Sequence, residues 1–217
     1  MILMNDFKAE PLELKEAMHS ASKKVIESGW YVLGNEVTSF EKKWANICGV
    51  DHGVGVGNGM DAIEIALRSL DIGAGDEVIT TTMTAFATVL AILRSGATPV
   101  LADIESSTAL ISFDSVKRCL SSKTKAIVIV HLYGQVRSMS AWTSFCRDEN
   151  LHMIEDCAQA HLATLHGRVA GSFGDAGAYS FYPTKNLGAP GDAGMLVTNI
   201  KILAERAARL RNYGQSE

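Results

Sequence analysis

The stretch VGVGNGMDAIEIALRSL, residues 54–70, joins a short apolar run to an amphipathic segment through a glycine-rich turn. The run Val54–Val56 predicts a buried strand, and the spacing of apolar residues in Asp61–Leu70 predicts a helix. A strand that leads directly into a helix is the first half of a βαβ unit. The segment therefore predicts a parallel sheet that is covered by helices.

The same alternation continues along the rest of the chain. The predicted strands are Val54–Val56, Glu77–Thr80, Pro99–Ala102, Ala126–Val130, His152–Ile154, Ala178–Phe181 and Gly194–Thr198. The predicted helices are Asp61–Leu70, Phe86–Ser95, Phe113–Leu120, Met139–Glu149 and Ile200–Tyr213. This pattern predicts an α/β fold, a three-layer αβα sandwich with a mostly parallel seven-stranded sheet. A loop rich in Gly and Pro, instead of a crossover helix, joins the last two strands, so the last strand is expected to run antiparallel.

Residues 1–50 precede this sheet and predict an N-terminal helical arm. One helix is expected near Pro11–Ser28, a turn at Gly29–Gly34 and a second helix near Asn35–Cys48. Residues 51–217 are then expected to form one large domain.

Composition excludes several classes of partner. The 217 residues are 47% hydrophobic and 20% charged, and the net charge of −4 comes with basic residues that are scattered along the chain. A nucleic-acid partner is therefore not expected. No run of about 18 apolar residues occurs, so no membrane partner is expected and the chain is predicted to be cytoplasmic. The four cysteines lack the spacing of a zinc or redox motif, so no metal is expected.

The turn Gly57-Asn58-Gly59-Met60, between strand and helix, is a candidate anion site. Glycine allows close approach to the backbone, and the start of a helix offers free N–H groups and a favourable dipole. Phosphate is the natural anion, although a turn of this composition also serves simply to reverse the chain. The turn lacks the Gly-Lys-Ser/Thr of a nucleotide-binding P-loop and the GxGxxG of a dinucleotide site.

Asp156 follows an apolar strand in IEDCAQAH, residues 154–161. A carboxylate at such a position needs a cation or hydrogen-bond donors, and a protonated pyridine nitrogen would serve. A helix N-cap is the alternative role for this aspartate.

Lys185 stands among apolar and small residues in SFYPTKNLG, residues 180–188. A lysine in such surroundings can become a nucleophile toward carbonyls, although a surface lysine is the plainer alternative. The Ser180 hydroxyl is a candidate ligand for the same phosphate. An anion at a helix start, a ring cation facing an acid and an aldehyde on a lysine together indicate pyridoxal 5′-phosphate (PLP) as the cofactor.

These residues lie in segments that resemble the DegT/StrS family of sugar aminotransferases, which are fold type I PLP enzymes. The matching segments cover nearly the whole chain and are GWYVLGNEVTSFEKKWA, VGVGNGMDAIEIAL, GDEVITTTMTAFATVLAIL, GATPVLADIE, HLYGQ, IEDCAQAH, GSFGDAGAYSFYPTKNLGAPGDAG and LRNYG. The resemblance implies that residues 51–217 are the PLP-binding large domain. It also implies a homodimer and a small C-terminal domain, which we expect to be absent from this chain.

The resemblance implies a role for each matching residue. Lys185 would be the catalytic Schiff-base lysine, Asp156 would keep the pyridine nitrogen protonated, and Gln159 would lie against the ring near its phenolic oxygen.

Phosphate would be bound by the backbone of Gly59 and Met60 and by the Ser180 hydroxyl. The chain departs from the family pattern at two positions. Many relatives have Thr in place of Met60, and many have an aromatic residue in place of Ala85 to stack on the ring. Here Phe86 comes one residue later and is the candidate for that contact.

The function implied by the resemblance is transamination of a nucleotide-linked keto-deoxysugar, with glutamate as the amino donor, for amino-sugar biosynthesis. Dehydratases related to this family have histidine in place of Lys185, so the lysine favours transamination. One alternative is a truncated, catalytically inactive remnant of such an enzyme that binds PLP or has a regulatory role. An NAD-dependent enzyme is a further alternative, which the missing dinucleotide fingerprint disfavours.

Overall fold

A seven-stranded sheet with helices on both faces forms the centre of the structure, a computed structural model that describes residues 5–215. The helices are α1 (Leu12–Ser28), α2 (Asn35–Cys48), α3 (Gly59–Ser69), α4 (Phe86–Ser95), α5 (Phe113–Cys119), α6 (Met139–Asp148) and α7 (Lys201–Leu210). The strands are β1 (His52–Val56), β2 (Glu77–Thr81), β3 (Thr98–Ala102), β4 (Thr124–Val130), β5 (His152–Asp156), β6 (Thr164–Leu165), β7 (Arg168–Val169), β8 (Ala176–Ser180) and β9 (Gly194–Thr198).

The strand order of the sheet is β1-β9-β8-β5-β4-β2-β3. β9 runs antiparallel to both of its neighbours, β1 and β8, whereas the other neighbouring strands pair in parallel. The predicted α/β fold, the seven-stranded sheet and the antiparallel last strand are thus confirmed. β6 and β7 form a separate two-stranded sheet that the sequence did not predict.

The alternation of side chains along the strands divides the core into two layers. Ile127 and Ile129 of β4 pack on the side of α5 and α6, whereas Ala126 and Val128 pack on the side of α3, α4 and α7. All residues of β4 except Lys125 are buried, as expected for a central parallel strand. The three-layer αβα arrangement follows directly.

The same alternation separates two adjacent acids of β5. Glu155 lies on the α5 and α6 side, where it accepts a hydrogen bond from the His131 ring, and Asp156 lies on the other side, where it meets Thr88 of α4. Only Asp156 therefore reaches the cavity described below.

Several element bounds differ from the predictions. α3 begins at Gly59, because the Asn58 side chain accepts a hydrogen bond from the Asp61 N–H and so caps the helix inside the glycine turn. β8 spans Ala176–Ser180 and not Ala178–Phe181, because Ala176 and Gly177 pair in register with β5 although their side chains carry little apolar signal. α7 ends at Leu210 and not at Tyr213, which has a positive φ.

Contacts along the chain separate two units, Met1–Phe40 and Glu41–Glu217. The boundary lies within α2, because Trp44, Ala45 and Cys48 belong to the core of the second unit. The predicted domain boundary at residue 50 stays a prediction. Among the described residues, no helix has the length and apolar character that a membrane span requires.

Candidate functional site

A cavity of about 320 Å³ opens where the chain leaves the carboxyl ends of several strands. This edge is where ligands bind in open α/β sheets. The cavity is lined by Asn58, Gly59, Met60, Ile63, Ala85, Ala87, Thr88, Asp156, Ala158, Ser180, Tyr182, Thr184, Lys185 and Asp192. Five of the predicted site residues, Gly59, Met60, Asp156, Ser180 and Lys185, therefore border one space.

The start of α3 forms one wall of the cavity. With the Asp61 N–H already bonded to the Asn58 side chain, the backbone N–H groups of Gly59 and Met60 have no acceptor among the described residues. A Cβ atom at Gly59 would lie 2.7 Å from the Ser180 Cβ atom, so only glycine lets the helix start approach β8 this closely. Free N–H groups beside the Ser180 hydroxyl suit a phosphate.

Asp156 forms a second wall and is only 7% exposed. Its Oδ2 atom accepts a hydrogen bond of 2.7 Å from the Thr88 hydroxyl, and its Oδ1 atom accepts one of 3.1 Å from the Ala158 N–H. Residues 157–159 form no helix, so the structure does not use Asp156 as a helix N-cap. Within the described chain the carboxylate forms no ion pair, so a buried acid faces the cavity without a cation.

Lys185 lies in a loop that the backbone of Phe181 closes. Phe181 donates its N–H to the Ala193 carbonyl at 2.8 Å and accepts a hydrogen bond of 2.7 Å from the Ala189 N–H. A further bond of 2.8 Å from the Lys185 N–H to the Tyr182 carbonyl forms a turn. The half-buried Lys185 side chain has no hydrogen bond or ion pair with another described residue, so its amine is available to a ligand.

His161 lies close to this loop. Its Nδ1 atom is 3.3 Å from the Asn186 Oδ1 atom, and its ring packs against Tyr179 and Phe181. Burial lowers the pKa of His161, and the positive charge of Lys185 adds to that lowering, against the effect of the hydrogen bond to Asn186. The His161 ring is therefore harder to protonate than a free histidine.

The two remaining predicted site residues, Gln159 and Phe86, lie outside the lining of the cavity. The Gln159 Oε1 atom accepts a hydrogen bond of 3.0 Å from the Tyr133 N–H, and Phe86 is 72% exposed. Within the described part of the chain, neither residue is among those that line the cavity, whereas Ala85 and Ala87 are. The ring-stacking role of Phe86 and the ring contact of Gln159 stay predictions.

The structure also shows a buried network around Glu155 to which sequence reasoning assigned no role. Its carboxylate accepts hydrogen bonds from the backbone N–H groups of Gly171, Phe173 and Gly174 and is 2.7 Å from the His131 Nε2 atom. These donors lie far from Glu155 in the sequence, and only the folded chain brings them together. Both oxygens are occupied in this way, so the network holds a turn against β5.

Cys157 lies beside this network, and its thiol, the Glu155 carboxylate and the His131 ring have potential ligand atoms within 4.8 Å of one another. Burial raises the pKa of the Cys157 thiol far above its ordinary value, and the charge of Glu155 acts in the same direction. A neutral thiol and a carboxylate already saturated by donors suit a packed structural cluster.

The residues that border the cavity fit PLP on three observations of this structure. The N–H groups of the α3 start and the Ser180 hydroxyl can bind an anion. Asp156 is buried without a cation, and the Lys185 amine forms no hydrogen bond or ion pair with another described residue. These are the groups that a phosphate, a ring nitrogen and an aldehyde require.

Comparison with known proteins identifies the family of the chain. Residues 13–217 match the model of the DegT/DnrJ/EryC1/StrS aminotransferase family. The dTDP-3-amino-3,6-dideoxy-alpha-D-galactopyranose transaminase of Aneurinibacillus thermoaerophilus is 47% identical over 99% of this chain and 59% of its own length. The dTDP-3-amino-3,4,6-trideoxy-alpha-D-glucose transaminase of Micromonospora megalomicea subsp. nigra is 47% identical over 91% of this chain and 53% of its own length.

A crystal structure of S. venezuelae DesV in complex with ketimine intermediate superimposes with a TM-score of 0.94. The two proteins share 43% sequence identity over 98% of this chain and 57% of DesV. The chain thus spans somewhat more than half the length of the relatives that it matches. It belongs to the DegT/DnrJ/EryC1/StrS aminotransferase family.

Proposed function

We propose that the chain is the PLP-binding part of an aminotransferase that acts on a nucleotide-linked keto-deoxysugar. The observation that supports this most strongly is a single cavity bordered by Gly59, Asp156, Ser180 and Lys185, in which the buried acid has no cation. An amino acid, with glutamate as the expected donor, supplies the amino group, and the product is an amino sugar.

Each residue has a defined task in the proposed reaction. The Gly59 and Met60 N–H groups and the Ser180 hydroxyl hold the phosphate, and Asp156 accepts a hydrogen bond from the ring nitrogen. PLP, when bound, supplies a conjugated ring that accepts the electron pair left when a proton departs from the amino-bearing carbon. The Lys185 Nζ atom takes that proton from the amino-bearing carbon as general base and, as general acid, gives it to the carbon that carries the cofactor's aldehyde group.

The two relatives named above support a finer proposal about the substrate. Both are transaminases of dTDP-3-amino sugars. We therefore propose a dTDP-linked 3-keto-deoxysugar as the substrate of this protein, with the amino group placed on carbon 3.

The experiment offers the PLP-loaded protein glutamate and, separately, dTDP-linked 3-keto and 4-keto 6-deoxyhexoses. Mass spectrometry follows the amino sugar and 2-oxoglutarate, and NMR locates the new amine. We expect amination of the 3-keto sugar, with Lys185→Ala inactive and Lys201→Ala, a change at an exposed position of α7, fully active. Amination of the 4-keto sugar alone would contradict the assignment of the position. Firm PLP binding without any amino transfer would favour the inactive PLP-binding remnant.

We also propose that the protein works as a homodimer in the cytoplasm. Tyr182, which lines the cavity, and Phe86, which lies between two lining residues, are each more than half exposed, which supports a covering partner. All four cysteines are free thiols, which suits a reducing compartment. Light scattering should give twice the monomer mass, and a monomer at micromolar concentration would contradict the dimer.

A further inference from the structure

Two threonines form a chain of hydroxyl groups that ends on Asp156. The Thr84 and Thr88 Oγ1 atoms are 2.7 Å apart, and the Thr88 hydroxyl donates to the Asp156 Oδ2 atom, also at 2.7 Å. Thr88 is fully buried, and both Thr88 and Asp156 line the cavity.

The acceptor at the end of this chain sets its direction. An ionised carboxylate only accepts hydrogen bonds, so the single hydroxyl proton of Thr88 points to Asp156. The Thr88 oxygen is then free to accept, and Thr84 becomes its donor. Because each hydroxyl has one proton, the chain runs in one order, from Thr84 through Thr88 to Asp156.

The Asp156 carboxylate is consequently held at both of its oxygens. Thr88 binds Oδ2, and the Ala158 N–H binds Oδ1. Two bonds to different oxygens fix the carboxylate plane and leave each oxygen a free acceptor site. A carboxylate fixed in this way can accept a hydrogen bond in one defined direction from the cavity.

The position of Thr88 in its helix strengthens this contact. Thr88 lies in the first turn of α4, whose N-cap residue, Ala85, provides no side-chain hydrogen bond. The positive end of the helix dipole therefore lies beside Asp156 and favours its negative charge. Both the hydroxyl and the helix end act on the same carboxylate.

We propose that Thr88 is a positioning residue that fixes Asp156 to receive the ring N–H of PLP, and that Thr84 orients Thr88. The proposal rests on the proposed function, because it requires that PLP is the ligand of the cavity. It assigns α4 a task in the site that does not depend on the exposed Phe86.

The test compares Thr88→Val, Thr88→Ser and Thr84→Val with the wild-type protein. Valine keeps the shape of threonine but has no hydroxyl, whereas serine keeps the hydroxyl. Thr80→Val is a matched control, because Thr80 is equally buried and its hydroxyl bonds the Val128 carbonyl outside the cavity. The measurements are the PLP dissociation constant from an absorbance titration and the pH dependence of the bound-PLP absorbance band.

We expect Thr88→Val to weaken PLP binding by about tenfold or more, the effect of losing a hydrogen bond to a charged group, and to shift the midpoint of the absorbance change with pH. Thr84→Val should move both readouts in the same direction by a smaller factor. Thr88→Ser and Thr80→Val should stay within about threefold of the wild-type protein. Wild-type values for Thr88→Val, or equal losses in Thr88→Val and Thr88→Ser, would overturn the proposal.

Crystal structures of the PLP-free proteins separate this proposal from the proposed function. The Asp156 side chain should keep one conformer in the wild-type protein and in Thr88→Ser, and should rotate or split into two conformers in Thr88→Val. An unchanged Asp156 in Thr88→Val would overturn the positioning role even if PLP binds. Failure of the wild-type protein to bind PLP would instead overturn the proposed function.

Discussion

Asp156 and Lys185 could be predicted from the sequence as site candidates, because Asp156 follows an apolar strand and Lys185 stands among apolar and small residues, where a charged side chain is unusual. Thr88 could not, because a threonine inside the apolar helix segment ATVLAIL is compatible with ordinary packing. Glu155 is the opposite case: its charge is visible in the sequence, but its partners at residues 171–174 are not. A residue whose role depends on donors from distant segments is recognised only in the folded chain.

Gly59→Ala should destabilise the protein through one new steric contact. The new Cβ atom would lie 2.7 Å from the Ser180 Cβ atom, so α3 or β8 must shift, at a cost of about 1–3 kcal/mol of unfolding free energy. Urea unfolding measures the change. Gly191→Ala is the matched control, because a Cβ atom there has no neighbour within 4 Å. Equal stability of the two variants would show that the close approach of α3 to β8 has no energetic consequence.

Strand β5 shows how one element serves two purposes. Its alternation sends Asp156 toward the cavity and Glu155 toward the turn at residues 171–174. The strand itself was predicted from the apolar run, but it extends through Asp156, two residues beyond the predicted end at Ile154. The sequence did not predict this longer strand because its last two residues, Glu155 and Asp156, are acids. A buried acid in a strand is recognisable only when its hydrogen-bond donors are known.

Glu155→Ala should cost at least about 3 kcal/mol of unfolding free energy, since the buried Gly171 N–H group, two part-buried backbone N–H groups and the buried His131 ring lose their acceptor. Chemical denaturation provides the measurement. Glu149→Ala, at an exposed position after α6, should change stability by less than about 0.5 kcal/mol. A loss below about 1 kcal/mol in Glu155→Ala would mean that the turn does not depend on this carboxylate.

Across the whole molecule, the order of strands and helices followed from the sequence, because apolar periodicity and glycine turns are local signals. The sheet order did not, since which strands become neighbours depends on packing between distant segments. The small β6–β7 sheet was missed because two-residue strands carry no periodic signal. The pH dependence of the unfolding free energy could not be predicted either, because it depends on contacts that form only in the folded chain.

The stability of the whole protein should depend on pH partly through His152. The hydrogen bond to Asp175 raises the pKa of His152 above its ordinary value, although burial opposes the effect. A raised pKa in the folded state means that the contribution is fully present below about pH 6.5, the unfolded value, and is lost as the pH rises through the folded value. The pair is partly exposed, so we expect less than about 1 kcal/mol.

His152→Gln should remove this contribution. The difference in unfolding free energy between the wild-type protein and the variant should be larger at pH 5.5 than at pH 8.5, by urea unfolding at both values. His19→Gln, on the exposed side of α1, is the control. A difference that grows toward high pH would contradict the assigned direction.

Whether the cavity binds PLP through Lys185 is tested by reducing the PLP-loaded protein with borohydride and locating the attached group by peptide mass spectrometry. We predict a single modified residue, Lys185, and the loss of the cofactor absorbance band on reduction. Attachment at another lysine, or a protein that retains no PLP, would contradict the claim that this cavity binds the cofactor through Lys185.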